Sequence, residues 1–236
     1  MIINPANRFP MDKKIFFWVL SLSLLGLALA ILLPGGRHLD PDPKLPWDIK
    51  LDGLGGSEVF GLTLDKSTLN EAREIFGNEG KISLFVTRDG EPALEAYFER
   101  VFLSGLRADI VLVLDADINT LQGLYDRGSR ISRTTDITRK VELATADLTA
   151  VSGLAIGSIN YIPAANLDDQ LVLSRFGEPA QRIRETATDM THWIYPERGL
   201  SIGIDPEGKE MLQYVAPRKI DLLIDTLKKD AGHSAN

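Results

Sequence analysis

An α+β architecture with an N-terminal transmembrane helix is what the sequence predicts, on three observations. An uncharged apolar run fills residues 15–33, an order of strand, helix and antiparallel meander then occurs twice, and an amphipathic helix closes the chain. With 236 residues, 44% apolar and 25% charged, the chain has the composition of a globular protein that buries a core. The net charge of −7 argues against broad nucleic-acid binding. No cysteine is present, which excludes disulfides, thiolate nucleophiles, cysteine-ligated metals and an acylated N-terminal cysteine.

The run "IFFWVLSLSLLGLALAILL", as a helix, reaches about 28 Å, close to the hydrocarbon thickness of a bilayer. Arg8, Lys13 and Lys14 precede it, so the expected topology is a tail at 1–14 inside, an anchor at 15–33 and an exported body. The alternative is a cleaved signal peptide, with Ala28-Leu29-Ala30 as the small-residue site. Residues 34–46 hold four of the twelve prolines and read as an extended spacer. His38, Asp40 and Asp42 fall in that spacer and read as solvated groups rather than metal ligands.

The first repeat is expected over 47–116. It opens on the strand "VFGLTL", and "DKSTLNEAREIFG" then reads as a helix with Ser67 as its N-cap and Gly77 as a left-handed stop. "KISLFV", "ALEAYFERVF" and "LRADIVLVLD" follow as strands. The second repeat, over 154–216, runs from "LAIGSINYI" to a helix capped by Asn166, stopped by Gly177 and kept from continuing by Pro179. Four more strands follow: "QRIRETA", "THWIY", "GLSIGID" and "EMLQYV". Between the repeats, 117–153 reads as a connector with two short helices, and 217–236 as the closing helix and tail, with Ile220, Leu223, Ile224 and Leu227 on one stripe.

Two strings suggest chemistry. "IVLVLDADINTL" runs an apolar strand into Asp115-x-Asp117, as in the nucleophile loop of haloacid-dehalogenase-type phosphohydrolases. Lys140 and Asp168-Asp169 are available as phosphate-binding lysine and magnesium ligands. Asn119 stands where that motif needs Thr or Val, and the surrounding strands do not read as parallel, so Asp117 reads better as an N-cap. The same stretch, with Asn119 and Asp126, fits a calcium loop only in part: Thr120 replaces the required glycine. His192 is the single histidine within the expected fold, on the strand face opposite Trp193, where solvent or an edge hydrogen bond would satisfy it. Arg127, Arg130, Arg133, Arg139 and Lys140 form a basic cluster in the connector, solvated or facing anionic lipid or an acidic partner. No cofactor is implied.

The strings "FGLTLDKSTLNEAREIFG" and "RFGEPAQRI" resemble small envelope domains of the BamE and β-lactamase-inhibitor-protein type, in which a helix ending in Gly leads into an antiparallel sheet. "LPWDIKLDGLGGSEVFGLTL", "ALEAYF" and "YPERGLSIGID" are similar to an uncharacterised group of proteobacterial membrane-anchored proteins. The resemblance implies a non-catalytic binding or scaffolding protein at the outer face of a bacterial inner membrane. Its body would lie in the periplasm, with an envelope protein as partner.

Overall fold

The computed structural model describes residues 13–32, 41–87, 92–135, 137–185, 189–205 and 210–232. His38, Asp40, His233 and the dipeptide Asp89-Gly90 lie outside the described residues. Contacts divide the chain into two units, residues 1–41 and residues 42–236.

The first unit contains helix α1 (Lys13–Leu32). Its side chains are described for residues 16–29, all exposed. Among the described residues no helix is long and apolar enough to cross a membrane. The expected transmembrane anchor at 15–33 is therefore corrected.

The second unit is a mixed α/β body. A small antiparallel sheet comes first, made of β1 (Lys50–Leu51), β2 (Ser57–Val59) and β3 (Leu62–Thr63). Helix α2 (Leu69–Phe76) leads into β4 (Lys81–Thr87), β5 (Ala93–Leu103) and β6 (Leu106–Leu114). Helix α3 (Ile118–Asp126), the hairpin β7 (Arg130–Arg133) and β8 (Thr138–Glu142), and helix α4 (Thr145–Ala150) follow. Then come β9 (Ile156–Pro163), helix α5 (Asp169–Phe176), β10 (Gln181–Arg184), β11 (Thr191–Tyr195), β12 (Leu200–Ile204), β13 (Met211–Val215) and helix α6 (Ile220–Gly232).

The two expected repeats do not form two sheets. All strands from β4 onward join one ten-stranded antiparallel sheet, in the order β10-β11-β12-β13-β9-β6-β5-β4-β8-β7. The junction is β9, which pairs with β6 on one side and β13 on the other. Register explains why the halves fuse. Trp193, Ile202, Leu212, Tyr161, Ile110 and Phe98 are successive cross-strand partners from β11 to β5, so one apolar row crosses the seam unbroken. All six are buried in the main core. A break at β9 would expose that row at two edges, where each large side chain is worth about 1.5–3 kcal/mol of burial.

Helix termini follow local hydrogen bonding. Thr68, not Ser67, is the N-cap of α2: its Oγ1 accepts from Glu71 N–H, while Ser67 Oγ accepts from Thr63 N–H in the preceding turn. Gly77 ends α2 at φ 61°, ψ 29°, the left-handed stop expected of it. On α5 the cap is Asp168 rather than Asn166, with its carboxylate accepting from Leu171 N–H at 2.7 Å. Asp168 both accepts that bond and complements the helix dipole with its charge. Gly177 ends α5 with a positive φ of 79°, and the bend through Pro179 leads into β10. The connector holds more than short helices, because β7 and β8 extend the sheet at its edge. Only Val141 of this hairpin is buried, so the alternation that marks a strand in sequence is nearly absent.

Helix α6 covers the opposite face at the other end of the sheet. Ile220, Ile224 and Leu227 pack there with Ile194 and Val215.

Candidate functional site

An apolar groove of about 670 Å³ lies on the main-core face of the sheet. One wall is α5, where Leu171, Val172, Arg175 and Phe176 fall on adjoining positions of the helix face. The floor is Tyr161 on β9 and Leu212 on β13, both buried. The opposite wall is the tip of the β5–β6 hairpin, with Phe102, Gly105 and Leu106. That tip is a two-residue turn, Ser104 at φ 46° and Gly105 at φ 89°, with Leu103 and Leu106 paired across it. Two successive positive φ values match the twist of a hairpin, and glycine adopts the second without strain.

A strap over residues 44–47 closes one end. Pro46 and Trp47 line the groove, and two hydrogen bonds hold the strap. Lys44 N–H donates to Ser104 Oγ at 2.7 Å, and the Tyr214 hydroxyl donates to Pro46 O at 2.8 Å. Tyr214 is fully buried, and burial pushes its phenol well above the ordinary tyrosine range, so it remains a donor. Burial likewise raises the Tyr161 phenol. The Arg175 guanidinium lies 4.4 Å from the centroid of the Trp47 ring, a cation–π contact. Arg107 and Arg175 are the charged residues of the lining, and no carboxylate stands with them. Among the described residues neither arginine has an ion-pair partner.

A larger cavity of about 750 Å³ lies where β4 and β8 diverge, with Arg73, Lys81, Lys140, Glu79 and Glu142 around it. Two of its charges are engaged with each other: Arg73 Nε is 3.4 Å from a Glu79 carboxylate oxygen, and Arg73 donates to Ser152 Oγ at 2.8 Å. That wall is polar and of mixed sign, with less apolar surface to offer a ligand than the groove.

The residues singled out from sequence are dispersed. Asp115 follows the end of β6, in an antiparallel sheet rather than the parallel one a phosphohydrolase loop requires, and lies 3.7 Å from Lys219 Nζ. Asp117 caps α3, accepting from Asn119 N–H, Thr120 N–H and the Thr120 hydroxyl. With residues 118–126 helical, the stretch cannot wrap a calcium ion as a loop. Asp168 and Asp169 are the cap and first turn of α5, away from Lys140 on β8. The basic cluster is also split. Arg127 pairs with Asp147 at 2.9 Å. By register, Arg130 and Lys140 share one sheet face and Arg133 and Arg139 the other, with Arg139 donating to the Tyr125 hydroxyl.

His192 is buried rather than solvent-facing or at an edge, because β11 has a partner on each side and its second face lies under α6. Its Nδ1 is 3.4 Å from Ser201 Oγ and its Nε2 is 3.5 Å from Glu185 Oε2. This Ser-His-Glu alignment did not emerge from the sequence, since the three residues come from separate strands or strand ends. Ser201 is 1% exposed, so no substrate carbonyl can reach its hydroxyl.

Asp117 carries a pH prediction. Its hydrogen bonds, first that from the Thr120 hydroxyl, hold its carboxyl below the ordinary aspartate range. A depressed folded-state pKa contributes stability that is present above the unfolded value, about 3.9, and lost as pH falls through the folded value. Asp117→Asn keeps a capping oxygen but does not titrate. Its urea midpoint is expected to fall less than that of the parent protein between about pH 5 and pH 2. Equal acid sensitivity would show that the cap does not titrate in this way.

The fold and groove together define a class: a mixed α/β protein with one ten-stranded antiparallel sheet and a preformed apolar groove beside a helix. No family model, no curated protein and no solved structure matches the chain.

Proposed function

We propose that the body of this chain is a non-catalytic binding module and that the groove beside α5 is its recognition site. One observation carries this reading: an apolar groove of about 670 Å³, of a size suited to a ligand, with walls fixed by the Tyr214–Pro46 and Lys44–Ser104 hydrogen bonds. Preformed walls lower the ordering cost of binding. The acidic residues that suggest a phosphohydrolase do not converge: Asp117 is occupied as a cap, and Asp115 faces Lys219.

The test uses the full chain and Nile red, a neutral dye that brightens in apolar sites. One dye is expected in the groove beyond any held by the exposed apolar side chains of α1, and Ala165→Trp, which places an indole in the groove from an exposed position of its lining, is expected to abolish that one site. A dye stoichiometry and signal unchanged by Ala165→Trp would refute the groove as the recognition site. Magnesium-dependent turnover of phosphomonoesters that disappears in Asp115→Asn would refute the non-catalytic reading.

A further inference from the structure

We infer that the ligand of this groove is a free single-chain carboxylate, its alkyl tail along the floor and its head group at Arg175; this rests on the groove being the recognition site. The first support is the chemistry of the floor. Tyr161, Val172, Phe176 and Leu212 are each 5% exposed or less, and the polar side chains of the lining are Tyr161, Asn166 and the two arginines. Two backbone groups beside the floor are already paired: Ala164 N–H donates to Arg107 O, and Pro46 O accepts from Tyr214. A peptide laid on this floor would bury more N–H and C=O groups than these side chains can pair, and each group left unpaired weakens binding. An alkyl chain carries no such groups, and each methylene it buries adds to binding.

The second support is charge. In a chain of net charge −7, this lining contains two arginines and no acid. Arg175 lies against Trp47 at 4.4 Å, a contact that does not consume its N–H donors. A planar fork of donors with no carboxylate beside it matches a carboxylate ligand in charge and shape. The side chain reaches this place because it stands one turn after Leu171 on α5. Leu171 would contact the tail while Arg175 holds the head group.

The experiment displaces Nile red from the full chain with decanoate and with decan-1-ol, which has the same tail and no charge. Decanoate is expected to bind at least tenfold more tightly at low salt, with the advantage shrinking as ionic strength rises. Arg175→Gln is expected to erase the difference by weakening decanoate alone, Arg175→Lys to restore much of it, and Ala165→Trp to abolish both. Equal affinity for the two compounds, or an Arg175→Gln protein that still prefers decanoate, overturns the carboxylate assignment. Nile red that binds but is displaced by neither overturns the alkyl-chain ligand while the groove remains a recognition site. Failure of Nile red itself removes both readings.

Discussion

Gly199→Ala is expected to destabilise the protein by at least about 3 kcal/mol, enough to leave much of the chain unfolded if its total stability is ordinary. Gly199 closes the 3-10 turn Pro196–Arg198 at φ 62°, ψ 36°, a left-handed conformation that carries a penalty for any residue with a Cβ. Space makes the penalty much larger. An added Cβ would overlap Val215 O and stand 2.9 Å from Pro217 N, both backbone atoms that cannot rotate away. Val215 N–H donates to Gly199 O at 2.8 Å, so relieving the clash breaks the bond that joins this turn to the end of β13. Helix α6 begins five residues later and would lose its seat with it. Gly153→Ala is the control, because a Cβ there meets nothing within 4 Å and φ lies outside the left-handed range. Urea unfolding of both variants checks the expectation, and a loss below about 1 kcal/mol for Gly199→Ala would show that Val215 can move without disturbing the sheet.

Phe60→Ala is expected to remove about 3–5 kcal/mol and to weaken Nile red binding as well. Phe60 is 2% exposed. Its ring stacks on Tyr161 at 5.2 Å and meets Tyr214 edge-on at 5.7 Å, geometries that add to the burial of area alone. Tyr161 forms the groove floor and Tyr214 holds Pro46 in the strap, so one cavity would loosen two walls. Thermal unfolding gives the first effect and dye titration of the remaining folded protein the second. A destabilised protein with unchanged dye affinity would separate this aromatic trio from the groove.

Much of the strand content was legible because its cause is local. "KISLFV", "ALEAYFERVF", "LRADIVLVLD" and "LSIGI" alternate or cluster apolar residues as half-buried strands do, and Gly77 stops its helix for a reason contained in one residue. The caps were displaced by one or two residues because Ser67-Thr68 and Asn166-x-Asp168 each offer two capping side chains, and the choice depends on which oxygen meets a free N–H. The hairpin β7–β8 was obscured by its arginines and by having Val141 as its one buried residue. Strand pairing was not legible: nothing in "LAIGSINYI" says that it lies between β6 and β13. His192 was misplaced for the same reason, since α6 covers its face only after a turn near residue 216 that carries no periodic signal. Nor was the groove legible, as its lining is drawn from the strap, a hairpin tip, β9, α5 and β13, which meet only in the folded body.

The central position of β9 also bears on the order in which the chain can fold. Strands β4 to β8 are synthesised before it, and until residues 156–163 arrive, β6 presents an open edge with Ile110 and Leu112 on its core face. An open apolar edge of nine residues is a template for pairing with other chains. A fragment ending near Gly153 would therefore be prone to self-association even though every strand of its own sequence is present. Adding β9 would protect β6 but leave β9 itself as the new edge until β13 docks from the far end of the chain. In this molecule the inner edges of the sheet are closed late, when β13 is laid beside a strand made some fifty residues earlier.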